Sequence, residues 1–460
     1  MAETKTSATQ GAPHLRRVLT LWDLIFYGIV LIQPIAPVPL FGVAQKLSDG
    51  HFATIILIAM FAMMITAVSY GRMAALYPAA GSAYTYVGRG LNPHLGFLAG
   101  WAMFLDYLLQ PLINTVWIST ALHERYVQQV PYVVWAAIIA GIITILNLGG
   151  IRSSARANKI LLFFMVVVVG FFIVLAVRYL LHQGPGALFS TQPFYDPKTF
   201  NSHRIWSATS FAALTYIGFD GVTTLAEEVE NPKRNVLVAT VLVCVFTGVF
   251  GGLEVYLGQR VWPNWHAFPN LETAFMDVCS RVGGPVLFNA MGLILILAAF
   301  GSGLTGGLGA ARLLFGMGRD NVLPRKMFGY VSPRSHTPSY NILLIGLLSF
   351  GGAVALNYIG NAYEHAGELL NFGAFLAFMG VNLATFWQFS VISKAGYKRR
   401  IWADVVLPLG GFAFCGLIWW NLNTLAKTVG GIWFAIGLIY VGVKTRGFRT
   451  APVMIDFSEA

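Results

Sequence analysis

Long stretches without a single Asp, Glu, Lys or Arg constrain this chain more than any other feature of its sequence. An apolar, uncharged stretch of about 18 residues or more is a candidate membrane-spanning helix. The chain contains ten charge-free runs, most of which meet this length: 24–45, 50–71, 126–151, 160–177, 235–253, 282–311, 335–363, 369–393, 405–426 and 428–443. Charged residues make up only 11% of the chain, against roughly 25% in soluble domains. An integral membrane protein is therefore predicted, which excludes a soluble enzyme, a disordered protein and a disulfide-rich secreted scaffold.

These runs combine into twelve predicted membrane spans and an all-α fold. Residues 90–122 and 205–230 add two apolar stretches that contain Asp106 and Asp220. We number the spans in chain order as 20–46, 52–77, 84–122, 131–150, 157–182, 205–229, 235–259, 284–316, 338–358, 364–390, 403–422 and 427–444. Span 3 is too long for one helix, so its part before residue 95 is predicted to be a cytoplasmic loop helix. Residues 1–18 are polar and show no cleavable signal.

Lysine and arginine indicate the orientation of the spans. If the N-terminus is cytoplasmic, the outside loops contain 8 of the 30 Lys and Arg residues, and 22 remain inside. Cytoplasmic loops carry the excess of these residues in membrane proteins. Both termini are therefore predicted to be cytoplasmic in a multi-pass protein of the cell (inner) membrane. The net charge of +11 is explained by this topology, and no nucleic-acid partner is predicted.

Spans 1 and 6 contain residues that a continuous helix does not tolerate. Span 1 has three prolines within residues 33–39, and each removes a backbone donor and clashes with the preceding turn. Span 6 carries two glycines and an acid in the sequence Tyr216-Ile217-Gly218-Phe219-Asp220-Gly221. Two kinked structural helices are one interpretation. Broken helices that line a cavity at corresponding positions of two halves, as in inverted-repeat transporters, are the other. We expect residues 33–37 to be non-helical and to face a cavity.

Six groups of short motifs occur in an order typical of one membrane-protein family. They are Pro78-Ala79-Ala80-Gly81-Ser82-Ala83-Tyr84-Thr85-Tyr86, then Gly96-Phe97-Leu98-Ala99-Gly100-Trp101 with Leu105-Asp106-Tyr107, Gly218-Phe219-Asp220 with Glu227-Glu228, Asn231-Pro232-Lys233-Arg234-Asn235, Met317-Gly318-Arg319-Asp320-Asn321-Val322-Leu323-Pro324, and Asn371-Phe372-Gly373-Ala374. On these motifs, the chain resembles the amino acid–polyamine–organocation permease superfamily from about residue 15 to 450. Within that superfamily it is most similar to bacterial putrescine importers.

This resemblance implies a fold of five-plus-five inverted repeats with two additional helices, and uptake of an amine or amino acid by alternating access. The implied units are a cytoplasmic tail (1–18), the first repeat (19–182), the second repeat (205–390), helices 11 and 12 (403–444) and a second cytoplasmic tail (445–460). It also implies a substrate site at the two breaks and in span 3, made of Gln33, Pro34, Ile35, Ala36, Asp106, Tyr107, Tyr216, Ile217, Gly218, Phe219 and Asp220. Proton-coupled relatives imply a proton as the coupling ion.

The sequence departs from the family pattern at three places. Putrescine importers of this kind carry an Asp in the second half of span 1, where this chain has Pro39. Superfamily members show a Gly-Ser-Gly-like turn where span 1 unwinds, and this chain has Gln33-Pro34-Ile35. Many proton-coupled relatives have a Lys midway along span 5, and the aligned residue here is Met165. Diamine selectivity and the coupling residue therefore stay open.

Asp106 is the first candidate for direct contact with a cationic substrate. A carboxylate inside a membrane is costly, so it must pair, bind a proton or face water. It is predicted to hold a substrate ammonium, with the neighbouring Tyr107 as a cation–π partner. The alternative is an Asp that hydrogen-bonds to a broken helix for structural reasons.

Asp220 and Tyr216 flank the break in span 6, and each has two interpretations. Asp220 lies in the first turn of the half-helix 220–230, where an acid caps free N–H groups and is favoured by the helix dipole. It is alternatively a site carboxylate that changes protonation during transport. Tyr216 occupies the position where relatives place an aromatic lid, and a core aromatic is the alternative.

Ser302 and Thr305 lie in a glycine-rich part of span 8. Small residues at this spacing usually mean close helix packing, and hydroxyl groups that line the substrate or coupling-ion pathway are the alternative. The three cysteines, Cys244, Cys279 and Cys415, are too far apart in sequence to predict a disulfide framework or a metal cluster. No Walker motif or nucleophile elbow occurs, so neither ATP-driven pumping nor enzymatic catalysis is supported, and no cofactor or metal is predicted.

Several functional classes remain at this point. A secondary transporter, with the lipid bilayer and a small amine or amino acid as its partners, is favoured by the broken helices. A neutral amino acid permease or exchanger is the alternative within this class. A channel or membrane receptor is an alternative of another class. Saturable uptake identifies a carrier, whereas a non-saturating flux identifies a pore. The oligomeric state is open.

The Lys and Arg distribution gives a direct test of topology. A reporter fused after Ala460 is expected to signal a cytoplasmic location, because the positively charged loops are retained inside. An enzymatic reporter that is active only in the cytoplasm measures this, with a fusion within residues 183–204 as the external control. An external signal from the Ala460 fusion would contradict the predicted orientation.

Overall fold

A computed structural model describes residues 19–77, 82–149, 155–184, 186–226, 228–319, 323–333, 335, 337–392 and 397–450. Parts of three predicted motifs, at residues 78–81, Glu227 and 320–322, lie outside the described residues, as do the tails at 1–18 and 451–460. Side chains at the start of the helix that follows residue 154 are also not described before Lys159.

The described chain is built almost entirely of helices. The α-helices, numbered α1 to α15, are Leu21–Ile32, Phe41–Leu47, Phe52–Leu76, Ser82–Gly90, Pro93–Ala121, Tyr132–Leu148, Ala155–Gln183, Ser202–Ala212, Pro232–Val261, Ala274–Arg319, Arg325–Phe328, Ser339–Ile359, Ala362–Phe386, Leu407–Trp420 and Thr424–Lys444. Short π-helical turns extend α5 over Leu122–Tyr126 and α13 over Trp387–Val391, and another precedes α14 at Trp402–Val406. An isolated bridge between Leu19 and Val229 is the only β pairing among the described residues. The predicted all-α class is confirmed.

Nine helices of the described chain are long and apolar enough to cross a membrane. They are Phe52–Leu76, Pro93–Tyr126, Lys159–Gln183, Pro232–Val261, Ala274–Phe315, Ser339–Ile359, Ala362–Val391, Trp402–Trp420 and Thr424–Lys444. The remaining three predicted spans fall below this length for physical reasons. Spans 1 and 6 are divided into shorter helices, and α6 has only 17 residues. The count of twelve spans and the inverted repeat stay predictions.

Two predicted helix boundaries have clear local causes. A separate helix, α4, precedes α5, as predicted for the part of span 3 before residue 95. Asn92 ends this segment and caps α5, because its side chain accepts a hydrogen bond from the N–H of His94 at 2.8 Å and Pro93 begins the new helix. The predicted start of span 8 at residue 284 coincides with a break inside α10, because Gly284 has a non-helical backbone with a φ of 64° and Pro285 follows it.

Span 1 is broken where its prolines predict. Helix α1 ends at Gln33, which adopts a positive φ of 70°, and α2 begins at Phe41. Between them the chain forms tight turns, in which the N–H groups of Ala36, Val38 and Leu40 donate to the carbonyl oxygens three residues earlier. The prolines at 34, 37 and 39 cannot donate such bonds. The expected loss of α-helix over residues 33–37 is confirmed.

Span 6 is broken in a different way. Helix α8 ends at Ala212 and continues as a short 3₁₀-helix to Tyr216. Gly218 then adopts a φ of 108°, which favours glycine because it has no Cβ, and a second 3₁₀-helix covers Phe219–Leu225. The two breaks lie side by side, since a Cβ added at Gly218 would lie 3.8 Å from the carbonyl oxygen of Leu31 in α1.

Close packing brings the helices together around these breaks. A Cβ added at Gly71 of α3 would lie 2.5 Å from the backbone of Leu237 in α9. A Cβ added at Gly373 of α13 would overlap the carbonyl oxygen of Ala102 in α5. Small residues at helix contacts let backbones approach closely inside a membrane. The core formed in this way contains fully buried aromatic side chains such as Tyr70, Phe219 and Phe378.

A buried ion pair connects α3 to the turn before α14 at one end of the bundle. The Asp404 carboxylate is fully buried and pairs with the Arg72 guanidinium. Its oxygens also accept hydrogen bonds from the Tyr397 hydroxyl at 3.1 Å and the Arg400 N–H at 2.6 Å. The Arg72 guanidinium lies 3.8 Å from the centre of the Phe389 ring. We call this end, which the Lys and Arg distribution predicts to be cytoplasmic, the basic end, and the opposite end the far end.

Loss of the Asp404 charge is expected to destabilise the fold. Asp404→Asn leaves a largely buried guanidinium without its counter-ion, and breaking a buried pair costs about 3–5 kcal/mol. The matched control is Asp49→Asn at the far end, whose partner Arg204 has a side chain that is 54% exposed. Exposed pairs contribute about 0–1 kcal/mol. The melting temperature in detergent should fall clearly more for Asp404→Asn than for Asp49→Asn, and equal shifts would contradict the assigned role.

Candidate functional site

Two adjoining cavities lie at the paired helix breaks. The larger encloses about 170 Å³ and the smaller about 110 Å³. They share five lining residues from α1, α5, the break in span 6 and α10, namely Leu31, Gln33, Gln110, Ile217 and Ser302. The larger cavity also reaches residues 161–165 in the first half of α7, and so extends toward the basic end.

Two carboxylates give the larger cavity its charge. Asp106 of α5 and Asp220 of the broken span 6 both line it, and their side chains are close enough for their charges to interact. Both residues are buried. Among the described residues, no Lys, Arg or His lines either cavity. Asp106 and Asp220 therefore give the cavity up to two negative charges, and none of the described lining side chains carries a positive charge.

Asp106 has the weaker internal support of the two. Its Oδ1 atom is buried and has no hydrogen-bond partner in the described structure. An ionised carboxylate in such a place costs several kcal/mol, so it must bind a proton or a cation. Asp106 is therefore the cavity group with the strongest need for a positive ligand.

Asp220 is supported by the backbone of the break itself. The donors that stabilise its carboxylate are its own backbone N–H, the Ser82 hydroxyl and the backbone N–H groups of Gly221 and Gly218. These backbone groups belong to the start of the second 3₁₀-helix, where free donors favour an acid. The capping interpretation of Asp220 is thus supported by the geometry. Its position in the cavity wall also keeps the functional interpretation open.

A group of amide and hydroxyl side chains joins α5 to α10, about one to two helical turns after Asp106 along α5. The Ser302 Oγ atom lies 3.0 Å from the Gln110 Nε2 atom and 3.2 Å from the Asn114 Nδ2 atom, and both amides donate to it. Gln33 Nε2 reaches the carbonyl oxygen of Ala298 at 3.4 Å. The Thr305 hydroxyl instead donates to Gly301 within its own helix at 2.9 Å. Ser302 therefore links helices across the cavity, and Thr305 does not.

Few backbone donors are free at the break in span 1. Residues 33–40 include three prolines, which have no N–H group. The N–H groups of Gln33, Ala36, Val38 and Leu40 already donate to backbone carbonyl oxygens. Within this described segment, only the N–H of Ile35 is left. A substrate carboxylate would normally be received by such free N–H groups at a helix break, so this break is poorly suited to one.

Most of the predicted site residues line the cavities, but three do not. Gln33 lines both cavities, Ile35 and Ala36 line the smaller, and Tyr107, Gly218 and Thr305 line the larger. Pro34, Tyr216 and Phe219 are buried behind the walls. The Tyr216 hydroxyl donates to the carbonyl oxygen of Ile56 in α3 at 2.7 Å, and the Phe219 ring packs 5.4 Å from the Tyr70 ring.

Pro34, Tyr216 and Phe219 therefore line neither cavity in this structure, and their contact with substrate stays a prediction. A break lets the backbone rotate, so side chains that are adjacent in sequence turn toward the core. For Tyr216 the structure favours the core interpretation over the lid.

Sequence reasoning missed the amides at the site. Gln110 and Asn114 follow Asp106 at intervals of four residues in α5, and residues at this spacing share one helix face. A polar stripe on an otherwise apolar span was the signal that would have found them. Two positions where the chain departs from the family pattern also line cavities, Pro39 the smaller and Met165 the larger.

Comparison with known proteins agrees with a cavity at two broken helices in a membrane bundle. The family model described as "Amino acid permease" matches residues 38–447. The chain belongs to the amino acid permease family. The suspected superfamily resemblance is therefore confirmed. The chain is a multi-pass membrane transporter and not an enzyme.

Three relatives illustrate the range within the family. The chain is 32% identical to the low-affinity putrescine importer PlaP of Escherichia coli K12, with 95% of each chain covered. It is 27% identical to the branched-chain amino acid permease BcaP of Lactococcus lactis, with 94% of this chain and 96% of the relative covered. It is 25% identical to the methylthioribose transporter of Bacillus subtilis, with 96% of each chain covered. Cationic, zwitterionic and uncharged substrates are thus named among the relatives.

Proposed function

We propose that this permease is a secondary active transporter that imports an organic amine, of which a short diamine such as putrescine is the model, across the cell (inner) membrane. One observation carries the proposal: two carboxylates, Asp106 and Asp220, line a buried cavity to which the described residues contribute no cation. An organic cation is the ligand that such a cavity needs to become electrically neutral. The name of the putrescine importer among the relatives is consistent with this chemistry.

The number of positive charges on the substrate sets the role of the proton. A diamine neutralises both carboxylates with its two ammonium groups. A monoamine neutralises one, and a proton on the other completes the neutralisation. Either way the loaded cavity carries no net charge, which lowers the cost of closing it away from water. Alternating access between the two breaks, with both termini in the cytoplasm, is the mechanism that we propose. A proton accompanies a monoamine in this scheme, whereas a diamine fills both carboxylates without one.

Asp106 and Tyr107 receive the ammonium group in this proposal. The free Oδ1 atom of Asp106 supplies the charged acceptor. The Tyr107 ring lines the same cavity and attracts a cation at its face. Asp220, held by backbone donors, is the second acceptor or the proton carrier. Ser302, which accepts hydrogen bonds from the Gln110 and Asn114 amides, lines the substrate pathway next to these acceptors. Thr305, whose hydroxyl donates within its own helix, serves mainly helix packing.

A zwitterionic amino acid is the second candidate, and one observation favours it. Two of the relatives are named branched-chain amino acid permeases. Against it stand the three prolines in the span 1 break, which leave little for a substrate carboxylate to bind. Measured affinities separate the two candidates, because only the affinity for an amine depends mainly on the charge of the cavity carboxylates.

Asp106→Asn is expected to weaken amine binding at least about tenfold. The change keeps the size of the side chain and removes the ion pair. Hydrogen bonds to charged groups contribute about 1.5–3 kcal/mol, and roughly 1.4 kcal/mol corresponds to a factor of ten. Isothermal titration of the purified protein with putrescine measures the affinity. Asp49→Asn, outside both cavities, is the matched control and should bind as the wild type does.

Tyr107→Phe separates two modes of contact in the same assay. A small loss of affinity indicates that the ring acts through its face, and a large loss indicates a hydroxyl contact. Unchanged affinity in folded Asp106→Asn would contradict the proposed acceptor and favour Asp220 or a zwitterionic substrate. A lower melting temperature with unchanged affinity would assign Asp106 a purely structural role.

A further inference from the structure

A further buried carboxylate lies outside the cavities, in α9. Glu254 is fully buried, and neither of its carboxylate oxygens has a hydrogen-bond partner. Within the described chain, no other Asp or Glu has both oxygens buried and unpartnered. Glu254 lines neither cavity. Its position therefore calls for a role that substrate binding does not supply.

Glu254 lies on a face of α9 that meets the second half of span 1 together with α3 and α10. Gly251 and Gly258, three residues before and four residues after it, share that face. A Cβ added at Gly251 would lie 3.0 Å from Pro37 and 3.4 Å from Ile56 of α3. One added at Gly258 would lie 3.0 Å from both the Phe41 ring of α2 and the Phe275 ring of α10. The two helices are also joined by a 3.0 Å hydrogen bond from Gln45 of α2 to Gln259 of α9.

The surroundings of Glu254 offer no counter-charge. The titratable group that faces it is the Cys279 thiol in α10. Charged side chains on the neighbouring elements have other partners. In α10, Asp277 pairs with Arg125. In α9, Arg260 donates to the Ala187 carbonyl oxygen at 2.8 Å. At the start of α3, the His51 Nε2 atom accepts a hydrogen bond from the Asp196 N–H at 3.1 Å. In α2, Lys46 interacts with Glu364.

Electrostatics fixes the state of this carboxyl group while α2 is seated. An ionised carboxylate buried without a partner costs several kcal/mol, far more than the neutral acid. Glu254 is therefore neutral in this conformation, with a proton on one oxygen. If α2 moves away from α9, water reaches the group and the ionised form is stabilised by hydration.

We propose that Glu254 is a proton-binding site that is occupied when α2 packs against α9 and is vacated when α2 separates at the far end. Binding of the proton and closure of that end then favour each other, because linkage is reciprocal. The inference rests on the proposed alternating access, since it assigns the α2–α9 contact as one of the closures. The proposed proton site lies on α9 about one helical turn after Gly251, the residue that lies against Pro37. This site is distinct from Asp106 and Asp220.

The alkylation rate of the native Cys279 thiol tests this without any transport assay. Cys279 is fully buried beside Glu254, so a small maleimide reaches it only when this region opens. The rate is measured by mass spectrometry in nanodiscs between pH 5 and 9, in wild type and in Glu254→Gln, a neutral variant of the same size. The ratio of the two rates at each pH removes the general effect of pH on the thiol. An ionised Glu254 beside the thiol disfavours the thiolate and so lowers the wild-type rate, which is opposite in direction to the rise expected from opening.

The wild-type rate relative to Glu254→Gln is expected to be near one at low pH and to rise by up to about tenfold per pH unit once Glu254 ionises in the open state. Glu124→Gln, the same charge change on a side chain that is 44% exposed, should follow the wild type. Glu254→Met, which is neutral and apolar, should behave like Glu254→Gln. It keeps the test available if the Glu254→Gln variant does not fold.

Three results would overturn the proposal. A ratio that does not change with pH would show that Glu254 does not couple ionisation to opening. A Glu124→Gln profile that matched Glu254→Gln would assign the effect to net charge. Failure of both neutral variants to fold would mean that an ionised Glu254 is required for structure. Because no amine is present in the assay, these results are independent of whether an amine is the substrate.

Discussion

The need to satisfy backbone hydrogen bonds inside a membrane governs this structure. An N–H or carbonyl group without a partner costs several kcal/mol in hydrocarbon, so an interrupted helix must be buried in protein or line a cavity. The chain interrupts span 1 with prolines and span 6 with Gly218, and the two interruptions lie against each other. The rest of the bundle encloses them, with close contacts at Gly71 and Gly373. The cavity is thus a consequence of placing two broken helices side by side.

The chemistry of the cavity follows from which backbone groups the breaks leave free. Tight turns and prolines use up or remove nearly all the donors at the span 1 break, so little positive potential is available there for an anionic group. At the span 6 break, Asp220 is stabilised by its own backbone N–H, by the Ser82 hydroxyl and by the neighbouring backbone donors, and the Gly221 N–H also donates to the Gly218 carbonyl oxygen at 3.1 Å. Asp106 adds a second carboxylate with an unpartnered oxygen. A site with spare acceptors and few spare donors is matched to an organic cation.

Local sequence signals predicted the parts of this fold that depend on local physics. Charge-free runs predicted the helices, prolines predicted the break in span 1, and Asn92-Pro93 explains the boundary between α4 and α5. Side-chain direction around a break was not predictable in this way. Tyr216 and Phe219 turn into the core because α3 and α13 supply partners there, which are distant in sequence. Gln110 and Asn114 were readable from their spacing at intervals of four residues after Asp106, which places the three side chains on one face of α5. Glu254, at the end of a charge-free run, gave no sign of its burial against α2.

Substrate binding at Asp106 and Asp220 is separate from the proposed proton site at Glu254, and it is the first of these that determines what the protein transports. A ligand that binds the folded state raises the melting temperature according to its concentration and affinity. The most direct measurement is a thermal-shift panel on the wild-type protein in detergent, with short monoamines and diamines on one side and neutral zwitterionic amino acids on the other. The account expects concentration-dependent stabilisation by amines and none by zwitterions. Stabilisation by zwitterions without any effect of amines would contradict it.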